Sequence, residues 1–377
     1  MDFDLSWLLW GLPIAFVMGW LASRLDLRQL RIENRQAPKA YFRGLNYLLN
    51  EQQDQAIDAF IEAVQKDPDT SELHFALGNL FRRRGEYERA VRVHEHLLSR
   101  ADLSRLERHR AQHALALDFL KAGLLDRAEE ALRKLAGTAH EGQALLALLA
   151  IYERTRDWAQ ASEIASKLDA LGHGNFSGRQ AHYLCEQAGT AAPEEAEKLL
   201  LRAMKVAPDA ARPGIELAAL KRRAGDTAGA FETLARLAQT APAALPLTAR
   251  ALTEVALAAG RRDEALQILQ PAYDQLHSLD VLDAIVALDS DNDAARRLYA
   301  QHLEREPSLV AASKWLSGEK LEHEQFHKVV QNALEHAARP LTRYRCAACG
   351  FEAKQHFWHC PGCQAWDSYP ARRVEEL

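Results

Sequence analysis

Cys346, Cys349, Cys360 and Cys363 stand in the order C-x2-C-x10-C-x2-C, and they are four of the five cysteines in the chain. A C-x-x-C pair folds as a tight knuckle that aims two thiolates at one point, and two knuckles on facing hairpins complete a tetrahedral sulfur site. Gly350 after the first pair and Pro361 with Gly362 inside the second suit such turns. Four thiolates leave no position open for water, so the metal they imply is structural rather than a Lewis acid. About thirty residues bury little core, and a metal worth about 10–16 kcal/mol would supply the folding energy instead. Free thiolate pairs imply a reducing compartment, and no βαβ pattern flanks them to suggest a thioredoxin-like redox motif.

The C-x-x-C-G and C-P-x-C knuckles resemble those of rubredoxin, which makes iron compatible with the same ligands. Gln364 departs from that pattern, standing where the second knuckle usually has Gly, and the loop between the pairs is shorter than in electron-transfer rubredoxins. One structural metal is expected, with zinc preferred over iron. A second metal-like motif, His323-Glu324-x-x-His327, has the spacing by which zinc proteases place two imidazoles on one helix face with Glu as base. Both His fall on or beside an apolar stripe of Phe326, Val330, Leu334 and Ala337, and no third-ligand pattern follows. That arrangement reads as helix packing, and no catalytic residue is assigned.

The elements that must carry the cysteine module are helical. Aromatic, Gly and Pro contents are low while Ala, Leu, Arg and Glu abound, and the net charge of −5 argues against nucleic acid as a partner. Leu5 to Ser23 runs without a formal charge, about the length that crosses a bilayer. Trp7, Trp10 and Trp20 suit the interfacial belts; Asp2 and Asp4 precede the run, and Arg24, Arg28, Arg31, Arg35 and Lys39 follow it. The positive-inside rule therefore places the bulk of the chain on the cytoplasmic side of a single-pass anchor.

Between anchor and cysteines the sequence repeats. Gly44, Tyr47, Ala56, Phe60, Ala63 and Pro68 return thirty-four residues later as Gly78, Phe81, Ala90, His94 and Leu97. The series continues through Ala128 and Leu132, Ala161 and Ala165, Ala196 and Leu200, Ala230 and Leu234, and Ala265 and Leu269, then closes on Ala295, Tyr299 and Pro307. These units resemble tetratricopeptide repeats, in which a small residue lets two helices approach and an aromatic fills the gap between them. About seven or eight such units would stack into a superhelix with a concave groove. In that scheme Phe75, Asn79 and Arg82 face the groove as a partner-binding set. Leu171 to Gln180 breaks the rhythm as a bend, Cys185 is a small core residue, and the His94/His96 and His109/His113 pairs are surface residues. The basic runs at Arg82–Arg84, Lys221–Arg223 and Arg261–Arg262 mark the ends of first helices.

The prediction is thus an all-α chain: a transmembrane anchor at 1–24, a juxtamembrane linker at 25–36, a tetratricopeptide-repeat superhelix at 37–338 and a rubredoxin-like zinc ribbon at 339–377. From anchor through repeats to Tyr344, Arg345, Cys346, Cys349, Gly350, Trp358, His359, Cys360, Pro361, Cys363 and Trp366, the sequence resembles the lipopolysaccharide assembly protein B family of Gram-negative bacteria. That resemblance implies a non-enzymatic inner-membrane adaptor that presents the deacetylase of the lipid A pathway to a membrane AAA+ protease. It also implies contact with another inner-membrane regulator through the anchor. A homo-oligomer is compatible with the sequence. A scaffold gathering envelope-biosynthesis enzymes without a protease, and a rubredoxin-like electron carrier, are the alternative readings.

Overall fold

In the structure, a computed structural model, residues 14–20, 39–289, 291–319 and 324–377 are described. The expected anchor lies outside the described residues except for 14–20, which are helical with Phe16 and Met18 exposed. Among the described residues no helix is long and apolar enough to cross a membrane. The chain divides into two compact units, residues 1–151 and 152–377. The first contains α1 (39–49), α2 (Gln53–Lys66), α3 (Ser71–Arg84), α4 (Tyr87–Ser99), α5 (Arg105–Ala122), α6 (Leu125–Arg133) and most of α7 (Glu141–Thr155). The second contains α8 (Trp158–Ala170), α9 (Ser177–Thr190), α10 (Pro193–Val206), α11 (Ala211–Arg223), α12 (Thr227–Thr240), α13 (Leu245–Ala259) and α14 (Arg262–Leu276). It ends with α15 (Leu279–Leu288), α16 (Asn292–Arg305), α17 (Leu309–Ser317), α18 (Glu324–Ala338) and the hairpin β1 (Tyr344–Arg345) and β2 (Glu352–Ala353).

The repeat signature has a direct steric meaning. Every even-numbered helix from α2 to α14 carries its signature Ala buried, at 56, 90, 128, 161, 196, 230 and 265. One turn later comes a second buried residue, from Phe60, His94 and Leu132 to Leu269, because positions i and i+4 share a face. On the partner helix the residue must be smaller still. A Cβ on Gly44 would lie 2.8 Å from the Phe60 ring, and one on Gly78 would lie 2.5 Å from the His94 ring. Between helices the chain turns sharply: Gly85, in the left-handed conformation at φ 83°, ends α3 and lets Glu86 N–H reach Phe81 C=O at 2.8 Å.

Two features differ from the sequence expectation. His94 is not a surface residue: it is fully buried, fills the aromatic slot of its repeat, and meets Asp118 at 2.5 Å. Arg82–Arg84 and Lys221–Arg223 do end α3 and α11, but Arg261 and Arg262 open α14, where Arg261 pairs with Glu264 at 2.5 Å and covers the Phe231 ring 4.2 Å from its centroid. The reason is that Gly260 has already closed α13. The rhythm break at 171–180 is a short loop followed by the first turn of α9, with Asp169 accepting from Phe176 N–H at 2.6 Å and from Gln180 Nε2 at 2.7 Å. Cys185 is buried as expected, among Ala181, Leu184 and Leu200, and burial pushes its thiol pKa up.

Two predictions follow from this packing. Gly78→Ala should cost about 1–3 kcal/mol in urea denaturation, because the His94 ring it strikes is itself held by Asp118 and cannot retreat. The second concerns acid: burial holds the pKa values of His74, His113 and His302 below their ordinary value. A histidine shifted this way binds fewer protons folded than unfolded, so its contribution is complete above about pH 6.5 and is lost as pH falls below that. The urea midpoint should drop between about pH 7.5 and pH 5.5, and less steeply when the three are replaced by Gln.

Candidate metal centre

The hairpin that begins the ribbon pairs Tyr344 with Ala353 and Arg345 with Glu352, and a bridge between His359 and Trp366 holds the second knuckle. The two knuckles repeat one geometry. Gly350 N–H donates to Cys346 C=O at 2.9 Å and Gln364 N–H donates to Cys360 C=O at 2.8 Å. Both turn residues are left-handed, Gly350 at φ 77° and Gln364 at φ 61°. Gln364 thus adopts the conformation that glycine occupies in the first knuckle, at a backbone cost of about 1–2 kcal/mol.

The turns bring the four sulfurs within 4.8 Å of one another. Cys346 Sγ lies 3.8 Å from Cys363 Sγ and Cys349 Sγ lies 3.7 Å from Cys360 Sγ. Disulfide sulfurs would be about 2.05 Å apart, whereas tetrahedral metal–thiolate bonds of about 2.3 Å put their sulfurs about 3.8 Å apart. The set therefore fits one four-coordinate metal. Cys346 and Cys360 are buried, while Cys349 and Cys363 are exposed. Burial opposes ionisation of Cys346, but Ser368 and the backbone amides of Cys349 and Ala348 outweigh it and bring the pKa to about 6. Amides of Cys363 and Gly362 likewise lower Cys360 against its burial. These N–H groups are aimed at sulfur charge before any metal contributes.

Among the described residues this is the group of three or more potential ligands close enough for a metal ion. His323 lies outside them, and His327 Nε2 sits 3.0 Å from Leu316 C=O, against the neighbouring helix as its packing position implies. Phe75, Asn79 and Arg82, the expected groove set, lie close together on α3. Phe75 is 2% exposed beneath the Arg110 guanidinium, and Arg82 donates to Asn79 Oδ1 at 2.5 Å, Asp118 Oδ1 at 2.8 Å and Ala114 C=O at 3.1 Å.

The ribbon is joined to the helices of its unit at three places. At one, Trp366 stacks on His182 of α9 at 4.8 Å and donates from Nε1 to Glu153 Oε1 at 3.1 Å. Asp367 meets His182 Nε2 at 2.8 Å, and Tyr183 donates to the same Glu153 oxygen at 2.5 Å. At another, Leu247 of α13 packs on the ribbon core of Tyr344, Cys346, Cys360 and Tyr369. The last residues then return to the helices: Arg373 straddles Asp280 at 2.8 and 3.0 Å and covers the Tyr344 ring. Glu375 accepts from Leu309 N–H at 2.5 Å and Ser308 Oγ at 2.8 Å, while Glu376 accepts from Leu279 N–H at 2.6 Å. Two tail carboxylates thereby cap the N-termini of α17 and α15. Sequence reasoning missed these partners, although the acidic pair before Leu377 was the available signal.

A family profile described as rubredoxin metal binding domain matches residues 344–369, the span that holds all four cysteines. Along the whole chain, lipopolysaccharide assembly protein B of Escherichia coli strain K12 is 32% identical, over 97% of this chain and 98% of its own. The chain belongs to the lipopolysaccharide assembly protein B family. The Haemophilus influenzae protein of that name is 28% identical, over 95% of this chain and 96% of its own. A solved tetratricopeptide repeat protein from Parabacteroides merdae is similar at 15% identity and a TM-score of 0.35, covering 67% of this chain and 98% of that one.

The capping geometry generates a test. Replacing Glu375 and Glu376 together by Gln should destabilise the second unit by about 1–3 kcal/mol, since both helix N-termini lose a charged cap. Differential scanning calorimetry reads the loss, and Trp366 fluorescence should shift at lower denaturant than in the parent. Identical melting of both proteins would show that the tail contacts contribute nothing to docking.

Proposed function

We propose that this protein is a non-enzymatic adaptor in lipopolysaccharide biosynthesis, held at the inner membrane by residues 1–24, with linker 25–36, repeat array 37–338 and metal ribbon 339–377 on the cytoplasmic side. The reading is that it presents the lipid A pathway deacetylase to a membrane AAA+ protease. The observation that carries it is the docking of the ribbon. Trp366, Asp367, Arg373, Glu375 and Glu376 are engaged with α7, α9, α15 and α17, and Leu247 of α13 packs on the ribbon core. The closed four-sulfur set supports a structural metal, zinc, bound by Cys346, Cys349, Cys360 and Cys363.

Tethering alone can do this work. Holding a cytosolic client beside a membrane protease raises their effective concentration by orders of magnitude without new chemistry. Phe75, Asn79 and Arg82 are the proposed partner-binding set in client capture: Phe75 carries the Arg110 guanidinium 4.1 Å above its ring, and Arg82, held by Asn79, reaches Asp118 of α5. Purified protein should carry one zinc per chain by elemental analysis, and stoichiometric iron would favour the electron-carrier reading. In cells, deleting residues 1–24 or changing Cys360 to Ser should each raise the deacetylase level several-fold. Unchanged deacetylase turnover, with both variants folded and abundant, would leave the scaffold reading in its place.

A further inference from the structure

A cavity of about 680 Å³ opens where the ribbon meets the last helices of the second unit. Leu279, Val310 and Leu341 give it an apolar lining, and its charged lining is unbalanced. Asp280 is taken by Arg373, Asp283 by Lys314, and Glu375 by the N-terminus of α17. Three cations remain. Arg339 at the end of α18 and Lys354 after β2 make no ion pair among the described residues. Arg343 reaches Glu352 only at 3.8 Å, while Arg345 holds that carboxylate at 2.8 Å. In a chain of net charge −5, two cations with no ion pair among the described residues and a third held only at 3.8 Å, from three segments around one concavity, run against the overall balance.

We propose that this cavity binds an organic phosphate, its oxyanion between Arg339, Arg343 and Lys354 and its carbon skeleton against Leu279, Val310 and Leu341. Two guanidinium groups and an ammonium match a dianionic tetrahedral group better than a single carboxylate. The volume far exceeds that of phosphate alone and falls in the range of small-molecule sites, about 300–1,000 Å³. Lys354 follows β2 while Arg339 directly follows α18, and Leu279 and Val310 of the lining lie on α15 and α17, so the ligand ties the ribbon to those helices and strengthens docking. The same chemistry is offered by a free sugar or glycerol phosphate and by the headgroup of a phosphomonoester lipid.

The test is calorimetric titration of the purified full-length protein with glycerol 3-phosphate, inorganic pyrophosphate, and short-chain phosphatidic acid set against short-chain phosphatidylcholine. Saturable binding of a soluble phosphate, weakened at least tenfold in R339Q/K354Q and unchanged in the equally charged surface control K205Q/R236Q, supports the site with a free ligand. The same pattern with phosphatidic acid alone supports it with a lipid headgroup as the source. Either ligand should also raise the melting temperature of the parent protein but not of R339Q/K354Q. Should the double variant melt early without ligand, K354Q alone, on an exposed side chain, is expected to lose at least threefold in affinity. No saturable binding of any phosphate probe by the folded parent, or equal binding by R339Q/K354Q, would overturn the proposal.

Discussion

A ribbon whose strands are two residues long cannot bury a core of its own, and the organisation of the second unit answers that constraint. Inside the ribbon, the buried set is two tyrosines and two metal-facing cysteines. Part of its hydrogen bonding is directed inward at sulfur and part outward at helices. Glu153 illustrates the second case. One carboxylate oxygen receives Trp366 Nε1 and the Tyr183 hydroxyl and lies 3.6 Å from Arg179. Burial and this carboxylate together push the Tyr183 pKa upward, so the phenol stays a donor throughout the physiological range.

The repeats solve a different problem by a single device used many times. A helix pair joined by a short turn leaves one apolar face open, and stacking the next pair covers it. Close approach demands that one residue at each crossing be very small, which explains why six of the seven signature alanines on even-numbered helices are 0% exposed. In the first unit a polar network adds to this packing. The buried Asp118 carboxylate of α5 takes Arg82 from α3 and His94 from α4, linking three successive helices through one charge. Removing either partner would leave that charge poorly compensated in a dry site.

What the sequence disclosed follows from how local each signal is. The cysteine spacing specifies a knuckle because its geometry is set by four consecutive residues, and the departure at Gln364 was visible for the same reason. The thirty-four-residue period marks the helix pairs because the small residues act within one pair. His94 was misplaced because histidine is usually polar surface, and only the arrival of Asp118 from the next helix makes its burial tolerable. Phe75, Asn79 and Arg82 carry the right residue types for a binding surface, yet Arg82 finds Asp118 thirty-six residues away, a pairing no periodicity encodes. The docking partners were hidden by distance as well: Trp366 and Glu153 stand 213 positions apart.

The direction of dependence between metal and helices follows from the tail. Glu375 and Glu376 satisfy backbone N–H groups of α17 and α15 that the helices cannot satisfy themselves, and Arg373 ties the first turn of α15 to the face of Tyr344. Tyr344 begins the strand that leads into Cys346. A ribbon that lost its metal would lose the position of Tyr344, and with it the ring against which Arg373 is held. The effect would then reach α15 and α17 as frayed N-termini rather than remain within the knuckles. Coupling of this kind needs no conformational switch beyond local unfolding. It makes the four cysteines part of the stability of α15 and α17, whose caps come from Glu375 and Glu376.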